Sequence, residues 1–174
     1  MENVEIFFCG LSKNNYDSLK KNIDYLLQFK NESKYSSVNL LIVDSNSEDG
    51  SKELLNKTSS KYDFFNVVHK DDINLVDSRV ERIKICRNLC LQFIDKKSKN
   101  NFVIYIPFDT DFFPFSNTKY IQLDLLISKV IDNKTPSGIF PASNPFYYDI
   151  FALRAPGWLN INSQLVVSRL KKYL

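Results

Sequence analysis

No apolar run in this sequence approaches the roughly 18 residues needed to cross a bilayer. The opening residues 1–10, MENVEIFFCG, lack the charged start and cleavage site of a signal peptide. We therefore expect a cytoplasmic protein without a transmembrane segment. Also missing is a clustered Lys/Arg stripe: 23 basic and 20 acidic residues are interspersed, for a formal net charge of +3, and this argues against nucleic acid as a partner. Cysteine is scarce, and three residues, an odd number, do not make a disulfide framework. Cys86 and Cys90 lie four apart and share a helix face, but with a single histidine, His69, and no second cysteine pair they do not complete a zinc set. They read as small core thiols. Neither GxGxxG nor GxxxxGK[ST] occurs, which counts against a dinucleotide enzyme and a P-loop NTPase. A chain of 174 residues is expected to form one domain, 1–174, with a real core.

Short apolar segments alternate with helical patterns. Residues 4–11, VEIFFCGL, bounded by Gly10 and a polar tract, read as a first strand. Leu19, Ile23, Leu26 and Leu27 then define a helix stripe, with Asn15 or Asp17 as the cap. VNLLIV, 38–43, is a second strand that stops at Asp44. Its loop, SNSEDG, offers Gly50 for a turn, and Asp49 or Ser51 to cap a short helix through Leu54 and Leu55. A third, weaker strand covers 66–69, and His69 at its end reads as a partly exposed side chain. Residues 78–94 form a helix with a capping box, Ser78 and Glu81, and an apolar stripe of Val80, Ile83, Cys90, Leu91 and Ile94. Arg87 falls on that stripe, so its guanidinium must be paired or must emerge into a ligand crevice. A helix through Leu123, Leu126, Ile127 and Val130 comes later.

The central stretch is 101–113, NFVIYIPFDTDFF, where a buried-strand pattern ends in two acids one residue apart, Asp109 and Asp111. Pro107 cannot donate to a ladder, so regular pairing is expected to end near it. If the backbone stays extended through Asp109-Thr110-Asp111, alternation puts both acids on one side. Two hard oxygen donors there suit Mg²⁺ or Mn²⁺, which takes one or two protein carboxylates and completes its shell with water and phosphate. The plainer reading is that the acids end a strand and begin a turn. Near the C-terminus an aromatic- and proline-rich stretch embeds Asp149 and Arg154 among large apolar residues, as a sugar or acceptor wall or as a structural ion pair. Together the pattern predicts an α/β fold with a mainly parallel sheet and helices on both faces, with ligands at the carboxyl ends of the strands.

VDSNSEDGS at a strand end, CRNLC in a helix and YIPFDTDF in a strand, in that order, resemble the nucleotide-binding half of the GT-A glycosyltransferases. There an acid precedes a Ser/Asp/Gly loop, an Arg-Asn pair sits in a helix, and an Asp-x-Asp ends a strand. FYYDIFALR further resembles the YYD and ALR pattern of the fungal capsule-associated α-1,3-mannosyltransferase branch and its bacterial relatives. The resemblance spans about residues 4–158. It implies a GT-A (nucleotide-diphospho-sugar transferase) fold and a metal-dependent hexosyltransferase of polysaccharide biosynthesis. Such an enzyme would use a GDP- or UDP-sugar as donor, a saccharide as acceptor, and Mn²⁺ or Mg²⁺. On that implication Asp44, Asp49, Arg87 and Asp109 would bind the donor nucleotide, and Asp109 and Asp111 the metal. Asp149 would be catalytic, positioning the acceptor hydroxyl or donor sugar, or serving as general base if the reaction inverts. Tyr148 and Arg154 would contact the acceptor or sugar. The chain departs from the pattern in having no histidine downstream of the Asp-x-Asp, and in stopping soon after Trp158, as a minimal or C-terminally truncated form would. The alternative function is a non-catalytic nucleotide-sugar binding module of the same fold. A sugar-nucleotide pyrophosphorylase would carry a Gly-rich, Arg- and Lys-containing loop after its first strand, and GLSKNN fits that poorly.

Overall fold

Four apolar segments pair into one parallel sheet in the computed structural model, which describes residues 4–99, 102–111 and 120–132. The strands are β1 (Val4–Ser12), β2 (Ser37–Asp44), β3 (Phe65–His69) and β4 (Phe102–Asp109), in the spatial order β3-β2-β1-β4. Every pairing is parallel. The helices are α1 (Tyr16–Glu32), α2 (Ser51–Ser59), α3 (Arg79–Lys97) and α4 (Tyr120–Asp132), with a 3₁₀ turn at Asp71–Leu75. The described residues belong to one compact unit, Met1–Lys134. Tyr148, Asp149 and Arg154 lie outside the described residues.

Strand alternation sorts the core into two layers. Ile6, Phe8, Leu40 and Ile42 face α1, α2 and α4, where Leu19, Leu26, Phe29, Leu55 and Ile127 meet them. Phe8 and Phe29 pack edge to face, with centroids 5.4 Å apart. Side chains of this size, fully buried, each contribute about 1.5–3 kcal/mol. Phe7, Cys9, Leu41 and Val43 face the other way, against Ile73 of the 3₁₀ turn and Cys86 and Cys90 of α3. The sheet is therefore covered by helices on both faces, as the alternating sequence pattern predicts. The three cysteines are free and buried, as core thiols should be. Burial and the neighbouring Cys90 push the Cys9 thiol up, so it keeps its proton, with Cys90 the larger influence. No helix among the described residues is long and apolar enough to cross a membrane.

Several local expectations are corrected and one is sharpened. Pairing ends near Pro107 as expected, two residues beyond it: the β1–β4 register runs on through Cys9↔Pro107 and Gly10↔Phe108 to Leu11↔Asp109. β4 is the outer strand of the described sheet, and a missing N–H there breaks no ladder bond. Gly10 does not bound β1 but lies within it. A Cβ at Gly10 would stand 2.8 Å from side-chain atoms of Ile42, Phe108 and Thr110, so glycine is required by close packing. The α3 stripe is rotated from its expected face: Cys90 and Ile94 turn to the core as expected, but Val80, Ile83 and Leu91 are exposed, and Cys86 is buried with Ile85, Leu89 and Phe93 partly buried beside it. Cys86 and Cys90 share this layer with Phe7 and Cys9, and Phe93 packs edge to face on Phe7 with centroids 6.2 Å apart. On α4, Leu123 and Ile127 are buried as expected but Leu126 is exposed. The α1 stripe stands, as do the Ser78 side chain accepting from the Glu81 N–H and Gly50 in the left-handed region at φ 89°, whereas neither Asn15 nor Asp17 caps α1 through its side chain.

Candidate functional site at the strand ends

The carboxyl ends of β1, β2 and β4 and the loops that leave them form one laced edge. The Ser45 N–H donates to the Ser12 carbonyl at 2.8 Å. The Asn14 N–H donates to Ser47 Oγ, and the Glu48 N–H returns to Asn14 Oδ1. Asn14 and Asn46 both adopt positive φ, 49° and 60°, which asparagine tolerates better than most residues. The first two loops thus hold each other in place before any ligand arrives.

Asp44 ends β2 with its side chain fully buried. Its Oδ2 accepts from the Ser47 N–H at 3.3 Å and faces His69 Nδ1, also at 3.3 Å. Its Oδ1 is buried and has no hydrogen-bond partner among the described residues. An unsatisfied carboxylate oxygen out of water is costly, and a native fold normally supplies a partner for one. Here the open position lies at a strand end, where parallel sheets receive ligands. His69 is not a solitary surface ring: the register pairs it with Asp44, and its Nε2 lies 2.9 Å from Asn56 Oδ1 of α2. The signal that would have found this pair is register, because two parallel strands that end together place their last side chains side by side.

Asp49 is an exposed loop residue that joins two helix starts. Its Oδ2 accepts from the Tyr16 N–H of α1 at 2.9 Å, and its Oδ1 from the Ser51 N–H of α2 at 3.1 Å. Partial burial opposes its ionisation, but the neighbouring Ser51 hydroxyl and these N–H groups outweigh that and hold its carboxyl below the ordinary value. The role is structural support for the loop, and Asp49 supplies the α1 cap that the Asn15 side chain does not. Asn15 instead accepts from Ser12 Oγ and donates to Thr110 Oγ1.

Thr110 is fully buried, its hydroxyl donating to the Leu11 carbonyl, while its own carbonyl accepts from Ser18 Oγ at 2.7 Å. With Thr110 pinned inward to β1 and α1, the residues on either side turn outward: Asp109 and Asp111 are both exposed. The exposure of both acids around a buried Thr110 is as expected, but β4 ends at Asp109 and the chain bends at Thr110 and Asp111, so the extended backbone on which a shared side depended does not continue through Asp111. Arg87 reaches across from α3, donating to the Cys9 carbonyl at 3.3 Å and to Asp109 Oδ1 at 2.7 Å. Its place at the margin of the buried α3 face is explained, since the guanidinium is both paired and partly exposed.

The structure thus brings Asp44, Asp49, Arg87, Asp109 and Asp111 to one sheet edge. It does not put all the acids on one face. Asp44 shares the face of Ile42 and α2, whereas Asp109 shares that of Tyr105 and α3, on opposite sides of the β1 end. Asp44 and Asp109 flank β1, two strand spacings or about 10 Å apart in the sheet. A ligand touching both must lie across the strand ends. No group of three or more His, Cys, Asp or Glu residues suited to a metal occurs among the described residues. The donor set at hand, two outward carboxylates on a strand end, matches the one or two protein ligands that Mg²⁺ or Mn²⁺ takes when phosphate and water complete its shell.

No protein-family model matches the chain, and no curated protein matches it. Among solved structures it is similar to S. aureus TarS 1–349, at 15% identity and a TM-score of 0.48. The match covers 93% of this chain and 44% of that one, so the chain spans less than half the length of its neighbour. The chemistry of the site rests on the residues described above.

Proposed function

We propose that this chain is a GT-A-type glycosyltransferase that binds a nucleoside diphosphate sugar across the ends of β2, β1 and β4 and transfers the sugar to a saccharide acceptor. The observation that carries the reading is Asp44, a fully buried carboxylate at a strand end with one oxygen unpartnered. An N–H donor on the edge of a nucleobase would satisfy that oxygen. The ligand then runs over the end of β1, which points its diphosphate toward Arg87, Asp109 and Asp111. Arg87 is well suited to phosphate because a guanidinium bonded to one carbonyl and one carboxylate keeps further N–H donors to offer.

Asp109 and Asp111 are the residues that would hold Mn²⁺ or Mg²⁺. Bound there, the cation would act as a Lewis acid, neutralising charge that develops on the diphosphate as it leaves. Thr110 keeps both acids turned outward, and the Asp49 bridge keeps the base-side loop in place. Asp149, Tyr148 and Arg154 belong to the acceptor half of the proposal on the strength of the sequence resemblance. That resemblance also supports the finer assignment, a cytoplasmic hexosyltransferase of polysaccharide biosynthesis near the fungal capsule-associated α-1,3-mannosyltransferase branch, using a GDP- or UDP-sugar.

The test is thermal unfolding of the full chain with UDP, GDP, ADP and CDP and their sugars, with and without Mn²⁺, because a ligand that binds only the native state raises its stability. A rise that needs nucleotide and metal together, and that is lost in Asp111→Ala, is expected. No rise with any nucleotide would overturn the reading. Nucleotide-sugar binding without turnover on any saccharide would identify the non-catalytic module instead.

A further inference from the structure

Strand pairing does not place Asp111. The β1–β4 ladder ends at Leu11↔Asp109, and the chain bends at Thr110 and Asp111. The angle between the two acids is therefore set by whatever holds the bend, and the bend is held at Thr110. Its hydroxyl donates to the Leu11 carbonyl of β1 and accepts from Asn15 Nδ2 at 2.6 Å. Its methyl lies over Gly10, where an added Cβ would come within 2.8 Å of it. Its carbonyl accepts from Ser18 Oγ at 2.7 Å.

Two of these contacts come from the start of α1, 95 and 92 residues away in the chain. Asn15 immediately precedes the helix without capping it through its side chain, and it is itself fixed, its Oδ1 accepting from Ser12 Oγ at 2.7 Å. Ser18, in the first turn, has one hydroxyl proton and two carbonyls in reach, Asn15 at 3.0 Å and Thr110 at 2.7 Å. The shorter contact is the one that crosses to Thr110. A small hard cation demands near-ideal geometry from its ligands, so carboxylates already held at one angle bind it better than a bend that must be ordered on binding.

We infer that Ser18 and Asn15 are positioning residues for a divalent cation, and that by clamping Thr110 they fix the bend that offers Asp109 and Asp111 to the same ion. The inference rests on the cation site proposed above and adds to it two determinants at the start of α1, which act through Thr110 rather than on the ion.

The test is calorimetric titration of the full chain with UDP, GDP, ADP and CDP, with and without Mn²⁺, and with the matching nucleosides. The quantity read is the ratio of diphosphate affinity with Mn²⁺ to diphosphate affinity without it. A variant that merely loosens the fold lowers both affinities and leaves that ratio unchanged. Ser18→Ala removes the bond to the Thr110 carbonyl and puts a better helix former in its place. Thr110→Val keeps the shape of the side chain without the hydroxyl, and Thr110→Ser keeps the hydroxyl. The ratio should fall about threefold to tenfold in Ser18→Ala and in Asn15→Ala, the range for one neutral hydrogen bond. Thr110→Val should lose more, and Thr110→Ser should lie nearer wild type than Thr110→Val. Nucleoside affinity in Ser18→Ala should match wild type.

A wild-type ratio in folded Ser18→Ala overturns the inference, and so does a folded Thr110→Val that keeps it. If Thr110→Val does not fold, Ser18→Ala still decides. A ratio lost in Asp111→Ala but kept in Ser18→Ala would sink the clamp and leave the cation site standing. A wild type that gains nothing from Mn²⁺, or that binds none of the four diphosphates, would overturn both.

Discussion

Two acids close neighbouring edges of the same strand, and they are built as opposites. Asp44, on one side of β1, is 0% exposed, fixed by a backbone N–H and an imidazole, and has one buried oxygen without a partner among the described residues. Asp109, on the other side, is 58% exposed and is held by one guanidinium. A buried carboxylate with one unpartnered oxygen can do little but accept a directed hydrogen bond. An exposed carboxylate, with a second one two residues on, can exchange its partner for a cation or share it with a phosphate. The difference implies that the two ends of one ligand are recognised by different physics, geometry at Asp44 and charge at Asp109 and Asp111.

The strongest way to break the comparison is at Asp44. Asp44→Asn keeps the shape but removes the charge, and should cost about 10- to 100-fold in nucleotide affinity, the range for a lost hydrogen bond to a charged group. Calorimetric titration checks this. Gly10→Ala comes next, since its Cβ would meet Ile42, Phe108 and Thr110 at 2.8 Å. Overpacking at such a site costs about 1–3 kcal/mol, read from urea unfolding. Because Thr110 sets the direction of both outward acids, cation-dependent binding should weaken in the same variant.

Arg87→Ala should reduce diphosphate affinity about tenfold, as loss of one charge-assisted contact does. Stability should fall by no more than about 1 kcal/mol, because the Arg87–Asp109 pair is partly exposed and screened. Urea unfolding run beside the titration separates the two effects. Arg87→Lys should not restore binding, since an ammonium cannot span the Cys9 carbonyl and Asp109 as a fork does.

The smallest expected effect is at Asp49, where Asp49→Asn should cost about 1 kcal/mol as a weakened helix cap. Its carboxyl is held below the ordinary value in the fold, so its contribution is present above the unfolded carboxylate range. That contribution disappears as pH falls through the lowered value. The gap between wild type and Asp49→Asn in urea midpoints should therefore be open at neutral pH and close in acid.

The sheet was legible in the sequence because each strand is a short apolar run that ends at a polar residue, and Asp44, Asp109 and Asp111 were legible as those endings. Asp49 was visible as a loop acid, but its bridge to Tyr16 joins residues 33 apart, which no local pattern encodes. The rotation of α3 was misread because two apolar faces compete along it, and the one with Ile85, Cys86, Leu89 and Phe93 rather than Val80, Ile83 and Leu91 meets the sheet. Pairing through Pro107 depends on β4 being the outer strand of the described sheet, a property of topology. His69 escaped for a similar reason: its partner is set by the β2–β3 register, and from the chain alone it is one histidine after two valines.

The central claim is that Asp44 and the Asp109-Thr110-Asp111 edge serve two ends of one ligand. It is tested most directly by comparing a nucleoside with its diphosphate, with Mn²⁺ present, in Asp44→Asn and Asp111→Ala. The account predicts that Asp44→Asn weakens the nucleoside and the diphosphate alike, while Asp111→Ala weakens only the diphosphate. Equal losses of nucleoside affinity in both variants, or none in Asp44→Asn, would contradict it.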